Sequence, residues 1–151
     1  DLIIPLVTSY EDDLIIWKSR EYNKKEFYND YNIILTNKGE RVRSKSEKIL
    51  ADTFNMYNLD YKYECPINLK NGLTFYPDFT FLSPKTGKEI YYEHFGMMDS
   101  PEYSRKAIKK IETYEKNGIY LGKDLLVTFE TSDKIFDINW IFNKLSEHFD
   151  L

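Results

Sequence analysis

Two carboxylates stand inside aromatic runs that otherwise read as the interior of a sheet. Asp78 follows Pro77 in LTFYPDFTFL, and Glu93 lies in EIYYEHF. Side chains alternate faces along a strand. Asp78 therefore shares a face with Tyr76 and Thr80, and Glu93 shares one with Tyr91 and Phe95. The link SPKTGK reads as a turn, so the two strands form a hairpin, with Pro77 marking a kink or an edge. In the right register the two acids converge. Neighbouring carboxylates resist joint ionisation. A divalent cation relieves that repulsion, and Mg²⁺ accepts one or two carboxylates together with water and phosphate oxygens. The plainer account is two partly exposed polar positions on amphipathic strands.

Two further side chains raise the same question. Glu47 lies three residues before Leu50 and seven before Phe54, on or beside the apolar face of a helix. A glutamate buried there without a partner is costly; at the edge of the stripe it would merely cap the helix or pair with Lys48. Lys110 falls near the stripe Tyr103, Ala107, Ile111 and Tyr114 of a later helix, with Lys106 one turn earlier and Lys109 further out. A lysine so placed either snorkels to water or brings an ammonium group to a charged site. The His94 side chain points away from Glu93 and suits packing or a structural hydrogen bond, or else a phosphate or base contact. Tyr103 and Tyr114 read as core, and Gly96 as the residue that permits a sharp exit from the strand.

The elements that position these groups follow from periodicity. Ile49, Leu50, Thr53, Phe54 and Tyr57 recur at helical spacing, so SKSEKILADTFNMY is an amphipathic helix. DYKYEC alternates as a strand and precedes the two acid-bearing strands. Ser100 caps a helix with Pro101 at its first position, which runs through EYSRKAIKKIETYEKN and stops at Gly118. DLLVTFE is a buried strand, and DINWIFNKLSEHF a closing amphipathic helix. From residue 43 the order is α-β-β-β-α-β-α. Upstream, LIIPLV suggests a short strand broken by Pro5, SYEDDLIIWKSREYNKKEFY a helix capped by Ser9, and NKGE a turn. Residues 1–40 form an N-terminal extension, and 41–151 the main domain.

Composition narrows the class. With 42% hydrophobic and 17% aromatic residues, 151 residues can build one real core. No apolar run approaches the roughly 20 residues of a membrane span. A net charge of -4 argues against a surface coated in positive charge for indiscriminate nucleic-acid binding, but leaves room for a local basic face. The lone Cys65 cannot form an internal disulfide, so a reducing, cytoplasmic setting is expected, with the thiol a small buried hydrophobe. The chain opens at Asp1 rather than Met, as a processed chain or a piece of a longer one would.

PDF at 77–79, the glutamate in YYEHFG and the upstream glutamate in RSKSE together resemble the PD-(D/E)XK nuclease superfamily, whose shared core runs α-β-β-β-α-β. The run EHFGMMDSPEYSRKAIKKIETYEKNGI is similar to nuclease-like domains that accompany superfamily-one DNA helicases. The resemblance covers residues 41–130. It implies a restriction-endonuclease-like α/β fold with a mixed central sheet flanked by helices, and metal-dependent hydrolysis of phosphodiester bonds in DNA. It implies that Asp78, Glu93 and the main-chain carbonyl of His94 ligate Mg²⁺ or Mn²⁺, and that Glu47 orients a water or supports a second ion. The superfamily usually places lysine two residues after the second acid, where this chain has Phe95. In the helicase-associated relatives that lysine lies in the following helix; its match here is Lys110, with Lys106 in reserve. Arg43, Lys45, Lys48 and Lys106 are the implied contacts to DNA phosphates. A helicase or another DNA-processing module, in the same chain or complex, is the implied partner. The alternative is a catalytically silent nucleic-acid-binding or protein-docking module that keeps the fold.

Overall fold

Cap residues set the ends of the helices, and the spacing of apolar residues sets the faces they bury. The computed structural model describes residues 9–151; the strand expected in LIIPLV lies outside them. Ser9 caps α1 (Tyr10–Ser19), accepting a hydrogen bond from the Asp12 N–H at 3.2 Å. This helix stops at Ser19, well short of the end at Tyr28 expected from the sequence. Only Trp17 is buried along it, and the polar REYNKKE run beyond offers no apolar face to extend. Then β1 (Ile34–Leu35) and β2 (Arg41–Val42) close a small hairpin around the NKGE turn, with Gly39 at φ +89°. The hairpin straddles residue 40, so the extension and the main domain share an element.

Ser44 caps α2 (Lys45–Met56), accepting from the Glu47 N–H at 3.1 Å. Its inward stripe is Glu47, Leu50, Ala51 and Phe54, while Ile49 is 44% and Tyr57 49% exposed. The apolar face is therefore rotated from the expected one. Phe54 explains the rotation: it stands edge-on to Phe79 and Phe81, with centroids 5.1 and 5.0 Å away, and the residues three, four and seven before it must then face inward.

The strand expected over 73–82 is split. β3 (Lys62–Tyr63) is followed by a two-stranded ribbon of β4 (Ile67–Asn68) and β5 (Thr74–Phe75), and only β6 (Phe79–Leu82) enters the main sheet. Pro77, which has no N–H to give a ladder, sits at the break. The turn at 83–88 leads to β7 (Glu89–Phe95), and the Ser83 N–H donates to the Lys88 carbonyl at 2.8 Å. Ser100 caps α3 (Pro101–Lys116), and Gly118 at φ +79° ends it. Next come β8 (Leu125–Phe129) and α4 (Ile138–Leu145), the latter capped by Asp137.

The fold is mixed α/β. Strand order is β3-β6-β7-β8, with β7 and β8 parallel across α3 and the other pairs antiparallel. On one face of the sheet, Leu50 and Phe54 of α2 and Ile141 and Leu145 of α4 pack on Phe79, Phe81 and Tyr92. On the other, Ala107 and Tyr114 of α3 pack on Phe95, Leu125 and Val127. The N-terminal extension is tied to this body by the Tyr10 hydroxyl on the Leu82 carbonyl and the Tyr22 hydroxyl on the Tyr63 carbonyl, at 3.0 and 3.1 Å. No helix among the described residues is long and apolar enough to cross a membrane.

The rotated stripe has a direct test in urea unfolding. Phe54→Ala should cost about 3–5 kcal/mol, whereas Ile49→Ala should cost under about 1 kcal/mol. Equal costs would restore the stripe first read from the sequence.

Candidate active site

Residue pairs along β6 and β7 alternate between hydrogen-bonded and non-bonded positions. The Ser83–Lys88 bond sets the phase, and Phe79 opposite Tyr92 is a bonded position. Continued one step past the paired residues, the register sets Asp78 opposite Glu93 at a non-bonded position, the kind at which side chains on facing strands come closest. One step further, Pro77 faces His94. The His94 N–H does not reach back to Pro77 but donates to the Asp78 carboxylate at 2.7 Å. Pro77 in turn has no N–H for the His94 carbonyl. Two carboxylates and a backbone carbonyl thus lie at one end of the hairpin.

Glu93 is 2% exposed, while Asp78 keeps some open surface. The Asp78 carboxyl is held well above the ordinary carboxylate range, first by desolvation and then by the charges of Glu93 and Glu47; the His94 N–H and Lys110 oppose this. Glu47 is also buried, at 7%. Burial raises its pKa, against hydrogen bonds from the Tyr63 hydroxyl at 2.7 Å and the Ser44 hydroxyl at 2.9 Å. The charge interaction with Asp78 brings all three sequence-identified acids into one electrostatic neighbourhood.

A fourth acid was missed. Glu64, just after β3, stands at φ +49°, a strained region for glutamate, and its N–H donates to the Asp78 carbonyl at 3.2 Å. Arg43 holds its carboxylate through Nε at 2.8 and 2.9 Å. The alternation in DYKYEC gave no hint of a left-handed residue. Arg43 also donates to the carbonyls of Lys25 and Glu26 and lies 4.1 Å from the centroid of the Phe27 ring. Its guanidinium is committed to the fold rather than offered to a phosphate.

Lys110 reaches the acids from α3: its Nζ lies 2.5 Å from Glu93 Oε2. Burial works against its charge, but Glu93 and Asp78 outweigh that and raise its pKa. The Tyr114 hydroxyl donates to the same oxygen at 2.8 Å, so this tyrosine is both core and site. Lys106 points outward and pairs with Glu102. Lys48 is bonded to Asp52 and Asn37, and Lys45 is exposed beside the start of α2. Cys65 is half-buried.

The His94 imidazole, 4% exposed, joins three elements. Nε2 lies 2.8 Å from Glu130 Oε1, which also accepts from the Ser46 hydroxyl at 2.5 Å; Nδ1 lies 2.7 Å from the Thr128 hydroxyl, itself 2.7 Å from that of Tyr92. Burial lowers the His94 pKa, against Glu130. A neutral ring with its proton on Nε2 satisfies every partner: Tyr92 donates to Thr128, Thr128 to Nδ1, and Nε2 to Glu130. The start of α2, which carries Glu47, is thereby tied to the strand that carries Glu93. Gly96 has no positive φ, and a Cβ there would meet His94 and Glu130 at an ordinary 3.7 Å, so strand exit does not require glycine. Its N–H donates to the Tyr103 hydroxyl at 3.0 Å.

Fold and site together define a mixed α/β domain with a carboxylate–lysine cluster at the end of a hairpin. No group of three or more His, Cys, Asp or Glu side chains among the described residues forms a ready-made metal cage. No protein-family model matches the sequence. The chain is 31% identical over 125 residues to the uncharacterized protein MJ1519 of Methanocaldococcus jannaschii, an alignment that covers 74% of this chain and 10% of that protein. It thus spans about a tenth of the length of the curated relative it matches.

A carboxyl whose pKa rises on folding contributes stability below its unfolded value, near 3.9, and loses it as pH climbs through the folded value. Asp78 therefore burdens the fold at neutral pH. In EDTA at pH 7.5, Asp78→Asn should melt at or above the wild-type temperature, with the gap closing toward pH 4. A lower melting temperature at pH 7.5 would mean that the carboxylate is simply a stabilising acceptor for His94.

Proposed function

We propose that this chain is a metal-dependent nuclease of restriction-endonuclease-like fold that hydrolyses phosphodiester bonds in DNA. One observation carries the reading: the charge imbalance around Asp78. At Asp78 the charges of Glu93 and Glu47 outweigh that of Lys110, and Arg43 is held by Glu64, so negative charge is left over that a divalent cation such as Mg²⁺ or Mn²⁺ would offset. The donors on offer, Asp78, Glu93 and the His94 carbonyl, are all oxygens, as hard cations prefer. Bound there, the ion would polarise a phosphate oxygen and acidify a water.

The chain's own residues would do the remaining work. The His94 N–H and the Tyr114 hydroxyl hold Asp78 and Glu93 in place. Glu47, held by the Tyr63 and Ser44 hydroxyls, would orient the attacking water. The Lys110 ammonium offsets charge building on the scissile phosphate. Phe95, where a strand lysine is usual, is buried at 6% in the α3-side core, which supports a lysine relocated to α3. The resemblance of the EHFGMMDSPEY run, and a relative far longer than this chain, support a setting within a larger DNA-processing polypeptide or complex, such as one containing a helicase. One observation favours a silent binding module instead: Lys110 and Tyr114 both occupy Glu93 Oε2.

Nicking of supercoiled plasmid separates the two. With Mg²⁺ or Mn²⁺ the protein should nick, and EDTA or Asp78→Ala should abolish it. Lys110→Ala should slow nicking by about 10²–10³-fold, while Lys106→Ala should stay near the wild-type rate. Nicking that survives both EDTA and Asp78→Ala rejects the site; no nicking by any preparation favours the silent module.

A further inference from the structure

Beneath the N-terminal extension lies a cavity of about 290 Å³, walled by Trp17, Tyr22, Lys62, Cys65, Thr80 and Tyr91. Lys62 and Thr80 are register partners across β3 and β6, and Thr80 in turn faces Tyr91 on β7. Their row is two residues along the strands from the Asp78–Glu93 row, and so on the same face of the sheet, about 6.6 Å away.

Both register partners are buried and under-satisfied. Lys62 is 8% exposed, and among the described residues its ammonium makes no ion pair. It sits instead 4.4 Å from the Trp17 ring centroid and 5.7 Å from that of Tyr22. Thr80 is 1% exposed, and its hydroxyl is the buried side-chain polar atom without a hydrogen-bond partner among the described residues. A buried charge and a buried hydroxyl without partners are both costly. One ligand group satisfies the two together: an oxyanion, which accepts from an ammonium and a hydroxyl at once. Arg20 adds a second cation to the wall. The wall also holds Glu21 and Glu89; both are exposed, and Glu89 accepts from the Trp17 indole N–H at 3.0 Å. The buried part of the cavity is cationic.

We propose that Lys62 and Thr80, with Arg20, form a phosphate-binding site. The phosphate belongs either to a nucleic-acid strand continuing from the acid cluster or to a free nucleotide or inorganic phosphate. The strand source rests on the nuclease reading; the binding chemistry does not.

Calorimetry in EDTA keeps the two apart, since no cleavage is needed. Inorganic phosphate, thymidine 5′-monophosphate and a short single-stranded oligonucleotide are titrated into the full chain, then into Lys62→Met and Thr80→Val. Lys62→Met keeps the packing stem, and Thr80→Val is nearly isosteric, so the second variant still reads the site if the first fails to fold. Binding should weaken by about tenfold or more in Lys62→Met and about threefold in Thr80→Val. Binding of the oligonucleotide alone assigns the strand source; binding of phosphate or the monophosphate assigns the free one. No binding tighter than about 1 mM, or wild-type affinity in Thr80→Val, overturns the site. The latter result would mark a diffuse charge effect.

Discussion

Asp78 facing Glu93 at a non-bonded position is the constraint around which this molecule is arranged. The antiparallel register brings two acids together where side chains are closest, in a setting that desolvates both. Nothing about a hydrophobic sheet favours that pairing. The surrounding residues offset it in part, through the His94 N–H on Asp78 and through Lys110 and Tyr114 on Glu93. The offset falls short, since the Asp78 carboxyl stays well above the ordinary range, and that shortfall is the basis of the proposed divalent-cation site.

The supports for this pairing come from every layer of the fold. The sheet fixes Asp78 and Glu93, α3 delivers Lys110, and α2 delivers Glu47. The Ser46–Glu130–His94–Thr128 chain of hydrogen bonds locks the start of α2 to the ends of β7 and β8. The extension contributes the carbonyls of Lys25 and Glu26, which grip the Arg43 guanidinium that braces Glu64. The extension therefore also helps set the charge at the site.

What was legible in the sequence is what depends on short-range pattern. The span of β7, the turn before it, the Ser100 cap and the inward lean of Lys110 follow from alternation, capping chemistry and helical spacing. The break at Pro77 was legible as a kink, but the β4–β5 ribbon that uses the other half of that segment was not, because the two strands are only two residues each. The face of α2 was misjudged because Ile49 and Ala51 flank Leu50 on opposite sides, so the apolar stripe can be drawn through either, and Phe54 packing against Phe79 and Phe81 decides the matter from outside the helix. Glu64 was invisible for a different reason: its role depends on a left-handed backbone and on Arg43, 21 residues away. Tyr114 reads as core because it is core; its hydroxyl finds Glu93, as that of Tyr63 finds Glu47, only once the tertiary structure forms.

The account stands or falls on whether the acid pair captures a divalent ion. Electron paramagnetic resonance of Mn²⁺ titrated into the chain, in the absence of nucleic acid, measures this directly by loss of the free-ion signal. The account predicts saturable binding with Asp78 present, competed by Mg²⁺ and lost in Asp78→Asn and Glu93→Gln, both still folded. A free-ion signal that never falls, or one that falls equally for all three proteins, would contradict it.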